Sequence, residues 1–191
     1  MLLLENSLKY LAIIIIVITF CLLFVSRHKY KTMAFRDFGS CLPNRHALAR
    51  YLQKKRNKKL AIFYIDLDNF KHINDAFGHM IGDQVLRSFG SRIIQLKDAK
   101  QGFFRIGGDE FVFITDYINK EYTKKVAESL LRNIKKSISI DGKTISIRGS
   151  IGISVGRLNN NFDLLLNEAD IALYTAKQQG KNQIVYHGVN P

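Results

Sequence analysis

GFFRIGGDEFVFIT, residues 102–115, is the stretch that decides the fold. Residues 102–106 and 111–115 are rich in aromatic and β-branched side chains, the composition of strands. Gly107-Gly108 between them supplies a tight turn, so the stretch reads as a β-hairpin. Two carboxylates, Asp109 and Glu110, stand in that turn. Upstream, LAIFYID at residues 60–66 is a short apolar run with aromatic content and reads as a buried strand. It runs into a second acidic cluster, Asp66-Leu67-Asp68.

Working outward, Pro43-Asn44 precedes a helical pattern with Leu48, Tyr51 and Leu52 on one face. Asp83 is placed to cap a helix that turns Val85, Leu86, Phe89, Ile93 and Leu96 inward. Val126, Ala127, Leu130, Leu131 and Ile134 mark another helix. SISI-DG-KTISI forms a second hairpin around Asp141-Gly142. Leu165, Ala169, Leu173 and Ala176 mark a last helix, stopped by Gly180, and residues 183–187 form a final strand. Helices and strands are interspersed with hairpins, so the class is α+β with a mixed or largely antiparallel sheet.

Apolar residues make up 47% of the 191, which excludes disorder as the main state. Cys21 and Cys41 are too few for a disulfide scaffold and lack zinc-ligand spacing. Lys and Arg outnumber Asp and Glu by 29 to 16, a net charge of +13. Residues 45–59 carry Arg45, Arg50, Lys54, Lys55, Arg56, Lys58 and Lys59 with no acid. A solvated helix face accounts for that run; contact with an anionic membrane surface is the sharper alternative. It holds one aromatic, Tyr51, and no nucleic-acid motif, so no nucleic-acid partner is expected.

Residues 10–26, YLAIIIIVITFCLLFVS, carry no charge. As a helix they are about 25 Å long, the short end of a bilayer span. No small-x-small cleavage site follows, so an uncleaved anchor is expected. Arg27, Lys29 and Lys31 lie downstream against Lys9 and Glu5 upstream. The positive-inside rule then places the rest of the chain in the cytoplasm, on the inner membrane. The expected organisation is a tail at 1–9, a transmembrane helix at 10–26, a basic linker at 27–36 and one domain at 37–189.

Each acidic cluster touches an apolar strand, and carboxylates from two ends of one sheet can converge on a hard cation such as Mg²⁺. Either cluster alone is an ordinary turn former. Together with Lys177 and Lys181 near the end of a helix they suggest a metal and phosphate site. Residues 137–144, SISIDGKT, only mimic a P-loop. Ser137 stands at the first glycine, and the stretch lies between two β-patterned runs.

Phe104-Arg105-Ile106-Gly107-Gly108-Asp109-Glu110-Phe111 resembles the signature of the GGDEF-domain diguanylate cyclases. So do Leu42-Pro43-Asn44-Arg45, residues 65–86 (IDLDNFKHINDAFGHMIGDQVL), Ser150-Ile151-Gly152-Ile153, and the run from Ala169-Asp170 to Gly180-Lys181-Asn182. The resemblance covers about residues 37–187, in order. It implies a fold like the palm of nucleotidyl cyclases, a central, mainly antiparallel sheet wrapped by helices. It implies condensation of two GTP into cyclic di-GMP with release of two pyrophosphates, across a homodimer. Two Mg²⁺ ions are expected, held by Asp66, the Leu67 carbonyl and Asp109. Asp109 and Glu110 are the implied catalytic carboxylates, Asp109 the favoured proton acceptor, with their division of labour open. Asn74 and Asp83 would read guanine. Asn69, Phe70, Lys71, Lys177 and Lys181 would hold phosphates, with Gly107 and Gly108 giving backbone access. Asp68 reads as structural, Phe70 and Phe111 as core, His79 as a loop brace and Tyr174 as packing.

The family's opening motif, Asp-x-Leu-Thr-Gly-Leu-Pro-Asn-Arg, appears here with Gly39 for its apolar anchor and Cys41 for its glycine. A looser opening turn is expected. Lys181 replaces a common arginine and gives up bidentate geometry. The family's Arg-x-x-Asp product site falls on Asp98-Ala99-Lys100-Gln101, where an acid stands in place of the arginine. Weak product feedback is therefore expected, with Gln101 still able to meet a guanine edge. Two other readings remain: a catalytically weak GTP-binding or scaffolding member at the membrane, and a basic module without catalysis.

Overall fold

The computed structural model describes residues 2–159 and 162–188; within α1, Leu2–Phe35, side chains are described at Tyr10, at 13–27 and from Ala34. The chain divides after Phe35 into two compact units. The first is helix α1 alone. It continues through residues 27–35, within the stretch expected as a basic linker. Ile13, Phe20 and Phe24 expose 56%, 69% and 66% of their surface. Among the described residues no helix is long and apolar enough to cross a membrane. Leu11, Ala12 and the flanking Glu5, Lys9, Lys29 and Lys31 lie outside the residues whose side chains are described.

The second unit is built on β1 (Lys59–Leu67), whose residues after Lys59 are all buried. Both faces are covered, which is why the run is continuously apolar instead of alternating. Leu60, Ile62 and Tyr64 face one core with α2 (Arg45–Gln53) and α6 (Phe162–Gln178). Ala61, Phe63, Ile65 and Leu67 face a second core. That core is closed by α3 (Phe70–Phe77), α4 (His79–Leu96) and α5 (Lys120–Ile134). The hairpin is β2 (Gly102–Arg105) against β3 (Glu110–Asp116). The short pair is β4 (Ile138–Ile140) against β5 (Lys143–Ile145).

The main sheet runs β2-β3-β1-β6-β7, with β6 at Gly149–Arg157 and β7 at Ile184–Tyr186. All pairings are antiparallel except β6–β7, which α6 joins as a parallel crossover; the sheet is therefore mixed. α6 lies close on β6 because Gly152 has no side chain. A Cβ there would stand 2.0 Å from the Ala169 carbonyl oxygen.

Asn44 caps α2, its Oδ1 accepting from the amides of His46 and Ala47 at 3.0 and 3.1 Å. Asp83 does not cap a helix, contrary to the sequence reading. It lies inside α4, which starts at His79 after Gly78 with no side-chain cap. Gly78 takes φ +84°, which ends α3 and redirects the chain into α4.

Candidate functional site

The register of β1 and β3 sets the site. Asp66 pairs with Glu110, and the Leu67 amide donates to the Asp109 carbonyl at 3.1 Å. The two acidic clusters, far apart in sequence, are thus adjacent at one end of the sheet. Lys177, on the last turn of α6, puts Nζ 2.7 Å from Asp66 Oδ2. Asp66 is only 6% exposed. Burial pushes its carboxyl up to about 6, the Lys177 ammonium pulls it back, and the charges of Asp109 and Asp68 push the same way as burial.

Glu110 is held from two sides. The Tyr64 hydroxyl donates to its Oε1 at 3.3 Å. A Cβ on Gly107 would come within 2.1 Å of its Oε2, so the turn accepts this carboxylate because Gly107 is glycine. Burial first, and the Glu110 and Asp170 charges after it, push the Tyr64 hydroxyl well above its ordinary value, so it remains a donor.

Of the residues expected to hold phosphates, Asn69 and Lys181 meet, joining the start of α3 to the turn after α6. Asn69 precedes α3 in a left-handed conformation, φ +58°. Its Oδ1 accepts from Lys181 Nζ at 2.7 Å. Phe70 is buried in the core and Lys71 is exposed one residue on. Asn74 packs on Gly82, where a Cβ would meet its Oδ1 at 1.9 Å. Asp83 follows directly and is exposed, so the proposed guanine readers share the α3–α4 corner. His79 is exposed at the first residue of α4.

Sequence reasoning missed Arg105 as a site residue. Its Nε and Nη2 donate to the Gly108 carbonyl at 3.1 and 2.7 Å, and its Nη1 reaches Asp37 Oδ1 at 2.5 Å. It ties the signature turn to the start of the domain. An arginine inside an otherwise apolar strand was the available signal. The opening turn is closed by hydrogen bonds despite its departures. Asp37 Oδ1 also accepts from the Ser40 amide and hydroxyl at 2.7 and 2.6 Å. Burial opposes ionisation of Asp37, but Ser40 and Arg105 hold its carboxyl below the ordinary value. A Cβ at Gly39 would lie 3.1 Å from Arg105 Nη1 and 3.3 Å from Asp83 Oδ1. Cys41 takes φ +59°, the conformation for which glycine is better suited.

Gln101 does not offer a guanine edge. It is 8% exposed, its Oε1 accepts from the Asp98 amide at 2.9 Å, and its Nε2 donates to the Tyr122 hydroxyl at 3.1 Å. An apolar cavity of about 400 Å³ lined by Leu48, Leu52, Ile106 and Phe162 holds none of the proposed site residues.

Among the described residues, no three His, Cys, Asp or Glu side chains group as a metal cage. Mg²⁺ does not require one, since it commonly takes one or two carboxylates plus substrate phosphates and waters. Asp66 and Asp109 with the Leu67 carbonyl fit that donor set. Asp66 is buried and already paired with Lys177, and the charges of Asp109 and Asp68 act on it from nearby, so three carboxylates and one cation share this strand end.

Residues 34–183 match the family described as "Diguanylate cyclase, GGDEF domain". The bifunctional diguanylate cyclase/cyclic di-GMP phosphodiesterase MucR of Pseudomonas aeruginosa is 34% identical over 158 residues, 78% of this chain and 23% of that protein. Diguanylate cyclase A of Treponema denticola is 36% identical over 136 residues, 68% of this chain and 36% of that protein. The chain thus spans about a third or less of the length of these curated relatives. The crystal structure of the GGDEF domain of DgcB from Caulobacter crescentus in complex with c-di-GMP superposes with a TM-score of 0.73 at 25% identity, covering 82% of this chain and 94% of that one.

Proposed function

The chain belongs to the GGDEF diguanylate cyclase family, and on that footing we propose that it condenses two GTP into cyclic di-GMP, Mg²⁺-dependently and as a homodimer. The observation that carries this reading is the Lys177–Asp66 contact beside Asp109 and Glu110. A phosphate-binding cation and metal-binding carboxylates then occupy one strand end, which is what a nucleoside triphosphate requires.

Asp66, Asp109 and the Leu67 carbonyl would hold Mg²⁺. Two ions, when bound, would neutralise the triphosphate and the charge that develops on it. Lys177, Lys181 and Lys71, with the backbone of Asn69-Phe70, bind the phosphates. Asp83 accepts from guanine N1–H and the 2-amino group while Asn74 completes the edge; adenine offers no such donor pair. Each site holds one GTP, and a second copy supplies the other. The 3′-oxygen of one GTP forms a bond to the α-phosphorus of its partner, and the bridging bond to the β-phosphate breaks. The 3′-proton passes to a signature carboxylate, Asp109 by preference, and pyrophosphate leaves. Repetition in the opposite sense closes the ring.

Residues 10–26 anchor the chain in the inner membrane with the domain in the cytoplasm. The exposed apolar side chains from Ile13 to Val25 support this, as do the cations that follow them in sequence. The test of the activity is the full chain in detergent with GTP and Mg²⁺, products separated by chromatography. Cyclic di-GMP is the expected product. GTP bound but unconverted would favour the scaffolding alternative.

A further inference from the structure

Asp68 stands beside the metal-side acid, yet both its oxygens are committed elsewhere. Oδ1 accepts from the Ser150 hydroxyl at 2.8 Å, and Oδ2 accepts from the Asn182 amide at 2.9 Å. The same amide lies 3.0 Å from Ser150 Oγ, which accepts from it. Ser150 is fully buried and sits opposite Asp66 on β6. Asp68 therefore closes a latch between the end of β1, the start of β6 and the turn after α6.

That turn has a conformation the chain would not choose unaided. Lys181 and Asn182 are consecutive non-glycine residues in the left-handed region, φ +64° and +54°. The buried Oδ1 of Asn182 has no partner. Such costs persist only where the surroundings over-determine the geometry. The result is that Lys181 Nζ reaches Asn69 Oδ1, across to the other phosphate-side turn.

We infer that Asp68, Ser150 and the Asn182 amide form a latch that positions Lys181 for the polyphosphate end of the nucleotide. Asp68 and Ser150 are positioning residues and not metal ligands. This rests on the GTP site proposed above, and it assigns the latch to discrimination between nucleoside triphosphates and monophosphates. Losing either hydrogen-bond partner lets the left-handed turn relax, and Lys181 with it. The guanine corner on α3–α4 is left untouched.

The test is equilibrium binding of 3′-deoxy-GTP, which cannot condense, and of GMP to the full chain in detergent with Mg²⁺. Asp68→Asn and Ser150→Ala are each expected to weaken 3′-deoxy-GTP about tenfold, the loss of one partly buried charge-assisted bond. GMP binding should stay within about twofold of wild type, as fits a local change of phosphate geometry. Combined with Lys181→Ala, neither should add a further loss. Equal losses for both nucleotides, losses additive with Lys181→Ala, or no loss would overturn the latch. Asp68→Asn keeps the side-chain shape and carries the test if Ser150→Ala fails to fold. If wild type binds no 3′-deoxy-GTP, the GTP reading falls and the latch with it. Wild-type binding that tolerates both variants overturns the latch alone.

Discussion

Lys177 Nζ lies 2.7 Å from Asp66 Oδ2, joining a cation on α6 to a buried carboxylate at the end of β1. The pair joins the groups proposed to hold phosphate and metal, and it makes the protonation of Asp66 a stability question. Its carboxyl sits at about 6, above the ordinary 3.8. A group with a raised folded value contributes stability below about pH 4, and that contribution is lost as pH rises through about 6. At neutral pH ionised Asp66 costs on the order of 3 kcal/mol. Without metal, Asp66→Asn is expected to be the more stable protein at pH 7.5, by roughly 1–3 kcal/mol. It should also lose the decline between about pH 4 and 6. Denaturant titration across that range checks this. Addition of Mg²⁺ and GTP should reverse the order, stabilising only the wild type.

Asp83→Ala should weaken GTP by roughly 1–3 kcal/mol and leave ATP unchanged, because only guanine presents the donors that Asp83 accepts. Competition binding with the two nucleotides decides it. Equal losses would return Asp83 to a structural role in α4.

Arg105→Lys keeps the charge and loses the fork that spans Asp37 and the Gly108 carbonyl. Turnover should fall about tenfold or more, since the signature turn carries Asp109 and Glu110. Melting should shift little, because the apolar core is unchanged. A large loss of stability with unchanged turnover per folded molecule would contradict this.

Added cyclic di-GMP should not inhibit non-competitively through residues 98–101. Asp98 repels the product phosphates, and the Gln101 amide is engaged with Asp98 and Tyr122. An initial-rate series with GTP held near its KM checks this. Inhibition at low micromolar product that Asp98→Ala leaves unchanged would point to a different site.

Much of this was legible, for physical reasons. β1 and the hairpin are buried on both faces, so their apolar runs are unbroken and end on conspicuous acids. α3 and the start of α4 were not, because Asn69 and Gly78 initiate them without side-chain caps. Asp83 precedes an apolar run and so imitated a cap. Residues 27–35 are basic and lack apolar periodicity, yet α1 runs through them. The Asp68 latch joins residues 82 and 114 positions apart, which no local pattern announces. Asp66, Asp109 and Lys177 were singled out, and their proposed roles suggested, by family resemblance; that Lys177 contacts Asp66 was not legible.

The most direct measurement is product stoichiometry for the full chain with GTP and Mg²⁺, cyclic di-GMP by chromatography and pyrophosphate by coupled assay. The account predicts two pyrophosphates for each cyclic di-GMP, and a fall on the order of 10²–10⁴-fold for Asp109→Asn in a still-folded protein. GTP bound without pyrophosphate release, or wild-type turnover in Asp109→Asn at saturating Mg²⁺, would contradict it.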